Sequence, residues 1–222
     1  MTPNSLRLFV DFDGTATIED IGDSIFETFL DPELLAQGFH DNVITEWKAG
    51  RMSSFECLTL ECSNTYVTRT ELDRHLDGFD LTPGFVETVR YCADNKIPLM
   101  VLSDGLDYYI DYLLKKNDLG AVPFKSNHIF FDNGSLGVEF PHQEHGCGRC
   151  GNCKRWHMEA NTADGETVVY VGDGYSDRYA IRNADVIFAR GDLVEYCLKN
   201  DIKHRKYSTF HEILGYLSNG KQ

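Results

Sequence analysis

Residues 6–15 read Leu-Arg-Leu-Phe-Val-Asp-Phe-Asp-Gly-Thr. A short β-prone run, Leu6–Val10, ends in two carboxylates, and a glycine follows at once. The run is largely apolar without clean alternation, which suits a strand buried on both faces of a parallel sheet. Three more runs share that character: residues 98–102, ending at Ser103; residues 167–171, ending at Gly172-Asp173; and Val186–Ala189. Helical patterns separate them. Thr82-Pro83 predicts an N-cap and a first helical residue, with Phe85, Val86 and Val89 behind them. Residues 106–116 carry Tyr109, Ile110, Leu113 and Leu114 on one helical face. This alternation predicts an α/β fold with a doubly wound parallel sheet. Residues 127–140 predict a hairpin turning at Asn133-Gly134.

Residues 17–82 differ. Ile21, Ile25, Phe26, Phe29 and Leu30 recur at helical spacing, and Asp31-Pro32 restarts the chain. Ser53 with Glu56 and Thr68 with Glu71 have capping-box spacing. The expectation is an all-helical insertion at 17–82 within a core built from 1–16 and 83–222.

Composition narrows the function. The 222 residues carry 35 acids and 21 bases, a net charge of −14. A chain this acidic suits neither nucleic acid nor an anionic membrane surface. Residues 17–83 alone hold 14 acids and 4 bases, read as solvated helix faces or as a surface for a cationic substrate group. The longest apolar run, residues 97–102, falls far short of the roughly 20 residues that span a bilayer. Asp11 and Asp13 break the N-terminal apolar stretch, so we expect no secretory signal of the usual form and a cytoplasmic location.

The polar groups sit where the strands end. In an open α/β sheet, ligands bind at the carboxyl ends of the strands. Asp11, Asp13, Asp173 and Asp177 would then crowd one cleft and repel one another. A hard divalent cation with oxygen ligands relieves that, which favours Mg²⁺. A carboxylate can attack phosphorus, and phosphoryl transfer asks mainly for positioning and charge neutralisation, supplied by the cation and a lysine. A second carboxylate two residues on can protonate the leaving oxygen and later take a proton from water. Gly14 and Gly105 would let backbone N–H groups approach a phosphate. A calcium loop starting at Asp11 is excluded, because its sixth and twelfth positions are Ala16 and Gly22.

Taken in order, these motifs resemble the haloacid dehalogenase superfamily of phosphatases over essentially the whole chain. Asp11-Phe12-Asp13-Gly14-Thr15 looks like the first motif, Ser103 the second, Lys154 the third, and Gly172-Asp173-Gly174-Tyr175-Ser176-Asp177 the fourth. The resemblance implies Asp11 as nucleophile and Asp13 as general acid and base. It implies Mg²⁺ on Asp11, Asp173 and the main-chain oxygen of Asp13, with Asp177 steadying the metal's waters and Lys154. Ser103, with the neighbouring main chain of Asp104 and Gly105, would bind phosphate oxygens. The insertion is similar to the cap of the phosphoserine phosphatase branch, and Asp20 falls where those enzymes hold substrate with Glu. Ser103-Asp104 replaces their usual Ser-Gly. The Cys-Lys block at 150–154 and the tail at 188–213 are most similar to the methionine-salvage phosphatases, with the phosphoethanolamine/phosphocholine phosphatases as near relatives. The implied partner is a small phosphorylated metabolite. A non-catalytic phosphometabolite sensor and a zinc-binding interaction module stand as readings from other classes, and the oligomeric state is left open.

Seven cysteines are present. Cys57, Cys62, Cys92 and Cys197 sit singly among apolar neighbours and are read as core residues. Cys147, Cys150 and Cys153, with His142 or His145, have spacing that suits structural Zn²⁺; free packing cysteines and a redox pair are the alternatives. Trp47 and Trp156 are read as packing residues, and His40, His128 and His157 as surface or satisfied histidines. Tyr109 is assigned to a packed helix face, with a cleft-facing role for Tyr108 or Tyr109 as the secondary reading.

Overall fold

A computed structural model describes residues 5–219, so the outermost residues of the expected core, 1–4 and 220–222, lie outside the described chain. Seven strands form one sheet: β1 (Leu6–Val10), β2 (Leu99–Leu106), β3 (Phe124–Asp132), β4 (Ser135–Glu139), β5 (Thr167–Gly172), β6 (Val186–Ala189) and β7 (Arg205–Lys206). Their order is β4-β3-β2-β1-β5-β6-β7, and only β3 and β4 pair antiparallel. β1 lies between β2 and β5, with Val10 beside Val101 on one side and Val171 on the other. Successive strands run outward from β1 to one edge, and then the chain crosses to the other side. That reversal opens a crevice at the carboxyl ends of β1, β2 and β5.

The α/β expectation holds, and burial explains it. Leu8, Phe9 and Val10 are wholly inaccessible to solvent. Leu8 and Val10 join the larger core, with Phe85, Leu113 and Phe210. Phe9 faces the opposite layer, with Met158, Tyr170, Leu193 and Cys197. A strand covered on both faces has no reason to alternate polar residues, and β1 does not.

Residues 17–82 hold five helices: α1 (Ile21–Phe29), α2 (Pro32–Ala36), α3 (Phe39–Lys48), α4 (Ser54–Ser63) and α5 (Arg69–Leu76). Ser53 and Thr68 close the two capping boxes that their spacing announced. The segment's ends are stitched together: Thr82 N–H donates to the Ala16 carbonyl at 2.8 Å, and Ile18 N–H to that of Asp80 at 3.2 Å. After it come α6 (Phe85–Asp94), α7 (Asp107–Lys116), α8 (Lys154–Asn161), α9 (Gly191–Lys199) and α10 (Phe210–Asn219). None of the described helices is long and apolar enough to cross a membrane.

Three local expectations need correction. α6 does not start on Thr82-Pro83, because the Thr82 hydroxyl donates to the Thr15 carbonyl at 2.8 Å. Gly84 caps the helix instead at φ +86°, where a Cβ would sit 2.7 Å from the His211 nitrogen. β2 runs on to Leu106 through a bulge that pairs Leu106 with Asn127, so Ser103-Asp104-Gly105 lie within the strand's irregular end. β3 begins at Phe124, earlier than the hairpin alone requires, because its first half pairs with β2. The hairpin turn is as expected, with Asn133 at φ +49° and Gly134 at φ +92°, the two left-handed residues of a tight turn.

Candidate active site

Where β1 ends, Asp11 meets a lysine. Lys154, the first residue of α8, donates to Asp11 Oδ1 and Asp177 Oδ1, both at 2.7 Å, and to the Ser176 hydroxyl at 2.8 Å. Asp11 Oδ1 also accepts from the Phe12 amide at 2.7 Å, so Oδ2 is left for chemistry. Asp177 is the most heavily satisfied acid: its Oδ1 accepts from the Tyr170 hydroxyl at 2.6 Å, and its Oδ2 from the amides of Asp173 and Gly174. Burial alone would raise its pKa, but Lys154 and these donors hold it below the ordinary carboxylate range. Asp11 goes the other way, raised well above that range by burial and by Asp177, more than Lys154 offsets. Burial and Asp177 push Asp173 up to about 7. For Lys154, burial opposes the charge, yet Asp11 and Asp177 outweigh it and raise the pKa.

The cluster is short of positive charge. Asp11, Asp173 and Asp177 bring carboxylate oxygens within 4.8 Å of one another, and the buried Lys154 contacts only Asp11 and Asp177, while Asp173 accepts from the Thr15 hydroxyl at 2.7 Å. Such a set of hard oxygen donors fits a divalent cation such as Mg²⁺.

Asp13 stands apart from that cluster. Its Oδ2 accepts from Tyr109 Oη at 2.6 Å and from Ser103 Oγ at 3.3 Å, and its Oδ1 from the Ile21 amide at 3.2 Å. Burial and the neighbouring Asp20 push its pKa up to about 7. Tyr109 lies on the apolar face of α7, where periodicity put it, yet its hydroxyl reaches Asp13 from beneath. Only its position just after the second motif signalled that contact.

The Gly14 amide donates to the Glu19 carbonyl at 3.1 Å, and the Gly105 amide to Ser103 Oγ at 2.9 Å, so both are engaged within the protein. What each supplies is room. Gly14 sits at φ +63°, and a Cβ there would lie 2.6 Å from Asp173 Oδ2; one on Gly105 would overlap Tyr109 Oη. Arg190, which sequence reasoning did not assign, locks the first turn by donating to the carbonyls of Gly14, Thr15 and Thr17.

Asp104 faces the cavity, but its carboxylate braces structure. It accepts from Ser54 Oγ on α4, from the Asn152 amide at 2.7 Å and from Asn127. Asp20, exposed at the edge of the cavity, caps α1 through the Asp23 amide at 3.0 Å, and the crowding of protein and of the Asp23 carboxylate around it raises its pKa.

Above these groups lies a cavity of about 210 Å³ lined by both the strand ends and residues 20–61. Phe26, Ile44, Trp47 and Leu58 give it an apolar wall, in which Trp47 packs edge-on against Tyr175 at 4.9 Å. Asp20, Asp23 and Glu61 make the wall acidic, and Lys48 is the one basic lining residue among those described. Glu61 is completely buried; its Oε1 pairs with His40 Nδ1 at 2.9 Å, and its Oε2 has no hydrogen-bond partner. His157 is satisfied by Asn152 Oδ1 at 2.6 Å, as expected of a buried histidine. Cys57, Cys62, Cys92 and Cys197 are buried, and Cys57 also touches the cavity.

Comparison with known proteins agrees with this picture. A family described as Putative Phosphatase matches residues 7–220. The chain is 28% identical over 214 residues to a 2-hydroxy-3-keto-5-methylthiopentenyl-1-phosphate phosphatase of Bacillus cereus, covering 94% of each chain. A protein of the same description from Brevibacillus brevis is 27% identical over 222 residues, covering 98% of this chain and 97% of its own. Among solved structures, a phosphoserine phosphatase carrying a phospho-aspartyl intermediate analogue superposes with a TM-score of 0.70 at 20% identity, over 96% of this chain and 99% of that one. A substrate-bound phosphoserine phosphatase gives 0.67 at 18%, over 96% and 98%. At these identities the structures speak to the fold.

Proposed function

The chain belongs to the putative phosphatase family, and from that premise we propose that it hydrolyses a small phosphomonoester through a phosphoaspartate on Asp11. The observation that carries this reading is the division of labour between two carboxylates two residues apart. Asp11 is clamped by Lys154 and the Phe12 amide, with Oδ2 left to attack. Asp13 is held at the cavity by Tyr109 and Ser103, with a pKa near neutrality at about 7.

In the first step Asp11 Oδ2 forms a bond to phosphorus while the ester oxygen leaves with the Asp13 proton. In the second, Asp13, now a carboxylate, takes a proton from water as the water attacks phosphorus. Phosphate departs and Asp11 is regenerated. Lys154 offsets charge beside the reacting oxygens, and Ser103 is near enough to Asp13 to donate to a phosphoryl oxygen. Asp11, Asp173 and the main-chain oxygen of Asp13, with Asp177 behind them, would hold Mg²⁺, which when bound neutralises charge on the transferred group. Residues 17–82 serve as the cap, excluding bulk water and contacting the leaving group.

For the substrate, the methylthiopentenyl phosphate named for the two relatives suits the apolar wall of Phe26, Ile44, Trp47 and Leu58. A second reading, phosphoethanolamine or phosphocholine, is favoured by the unpartnered Glu61 Oε2 beside Asp23, which asks for a donor or a cation. Phosphoserine fits less well, since its carboxylate would face that acidic wall. Phosphate release from these four esters with Mg²⁺, with and without EDTA, tests the proposal. One preferred ester with EDTA-sensitive turnover is expected. Folded, Mg²⁺-loaded protein that binds an ester without releasing phosphate would turn the reading to a sensor.

A further inference from the structure

Before Lys154 the chain runs from residue 141 to 153 without helix or strand, and it gathers three cysteines. We infer that this loop binds one Zn²⁺ through the thiolates of Cys147, Cys150 and Cys153, and that the ion holds the loop that presents Lys154.

The three Sγ atoms lie within 4.8 Å of one another, and those of Cys147 and Cys150 are 3.3 Å apart. A disulfide would need about 2.05 Å. Tetrahedral bonds of about 2.3 Å set sulfurs roughly 3.8 Å apart, so the cluster needs only small shifts to close on a zinc ion. The glycines bend the chain onto the sulfurs. Gly146 at φ +93° and Gly148 at φ +72° flank Cys147, and a Cβ on Gly146 would lie 2.6 Å from Cys153 Sγ. Cys153 precedes the first turn of α8, where helical amides favour a thiolate.

The histidines do not complete the set. The His145 ring stacks on Trp156 at 4.4 Å, and His142 meets His157 edge-on at 4.7 Å; neither belongs to the cluster. The site is therefore three sulfurs, and the exposure of Cys147 leaves the fourth position accessible to solvent. Each thiol releases its proton to solvent on binding.

The loop has a reason to be held. The Ser54 amide on α4 donates to the Arg149 carbonyl at 2.8 Å, and the Arg149 guanidinium donates to the Gly50 and Met52 carbonyls. Asn152 donates from its amide to Asp104 and from its side chain to the carbonyls of Ser103 and Lys125. Lys154 follows at once. A segment with little core of its own thus links the helical insertion, the end of β2 and the lysine beside Asp11, and a metal cross-link supplies the rigidity that packing does not.

The test is metal analysis of the whole protein purified without chelators, followed by Co²⁺ addition to the reduced apoprotein. About one zinc per chain is expected, together with a cobalt–thiolate charge-transfer band. An organomercurial should release the zinc, Cys150→Ser should lose it, and Asp11→Asn should keep it. Less than about a tenth of a zinc per chain with no cobalt–thiolate band overturns the inference. So does zinc that persists in Cys150→Ser and disappears in Asp11→Asn, which would assign it to the acid cluster. The cobalt band needs no variant, so a Cys150→Ser chain that fails to fold leaves the test intact. None of these readouts depends on turnover.

Discussion

Asp11 and Glu61 are both buried carboxylates on one cavity, and each has one cationic or potentially cationic neighbour. Asp11 stands where a strand ends, with Lys154 at 2.7 Å and two more acids close by. Glu61 stands on a helix of the insertion, with His40 at 2.9 Å and one oxygen unmatched. The floor of the cavity gathers carboxylates from strand ends that the sheet order forces together, with Lys154 of α8 among them. The wall comes from helices packed on one another, and it leaves polar capacity open. Changes to the floor should therefore strike turnover and folding, and changes to the wall should strike substrate choice.

The most severe break expected is Asp11→Asn. It should lower kcat on the order of 10⁴-fold or more, with the circular dichroism spectrum unchanged. Residual phosphate release near the wild-type rate would dissolve the distinction between floor and wall. Lys154→Met should follow. It leaves buried carboxylates without their cation, so a urea titration should show a loss of about 3–5 kcal/mol. Tyr109→Phe deletes a donor to Asp13 without changing the shape of the core. Its kcat should fall about tenfold, with KM nearly constant, if it orients the acid.

The wall should respond differently. Trp47→Ala should raise KM for the preferred ester about tenfold and leave kcat largely intact, as measured by initial rates over a range of substrate concentration. A fall in kcat alone would make Trp47 part of the floor.

The smallest effect concerns pH. The hydrogen bond to Glu61 raises the pKa of His40 above its ordinary 6.5, and burial raises that of Glu61. The native protein therefore holds protons that the unfolded chain has released. The stability from His40 is full below its unfolded pKa and is lost as pH rises through its higher native value. Urea midpoints should fall as pH rises above about 6.5, and fall less in Glu61→Gln.

The same contrast explains what could be read from the chain. Asp11, Asp13, Ser103 and Asp173 follow apolar runs, so their convergence came from strand order alone. Tyr109 was read first as a packing residue, with the cleft second, because its ring obeys the apolar periodicity of α7 while its hydroxyl serves Asp13. Arg190 was missed because its partners are carbonyls far away in sequence, and carbonyls carry no sequence signal. Thr82 misled because its hydroxyl answers to Thr15 across the fold rather than to the helix that follows. The wall was legible as helices, but the neighbours of Trp47 and Glu61 depend on how those helices pack.

The stitched ends of residues 17–82 carry a wider consequence. Because Ala16 and Thr82 are hydrogen-bonded neighbours, the sheet experiences the whole insertion as a detour of almost no length. A graft of different size or shape could replace it at that stem without disturbing the register of β1, β2 or β5. Chemistry and selectivity could then diverge separately, with one reaction inherited by many lineages and its clientele rewritten by exchanging a single segment.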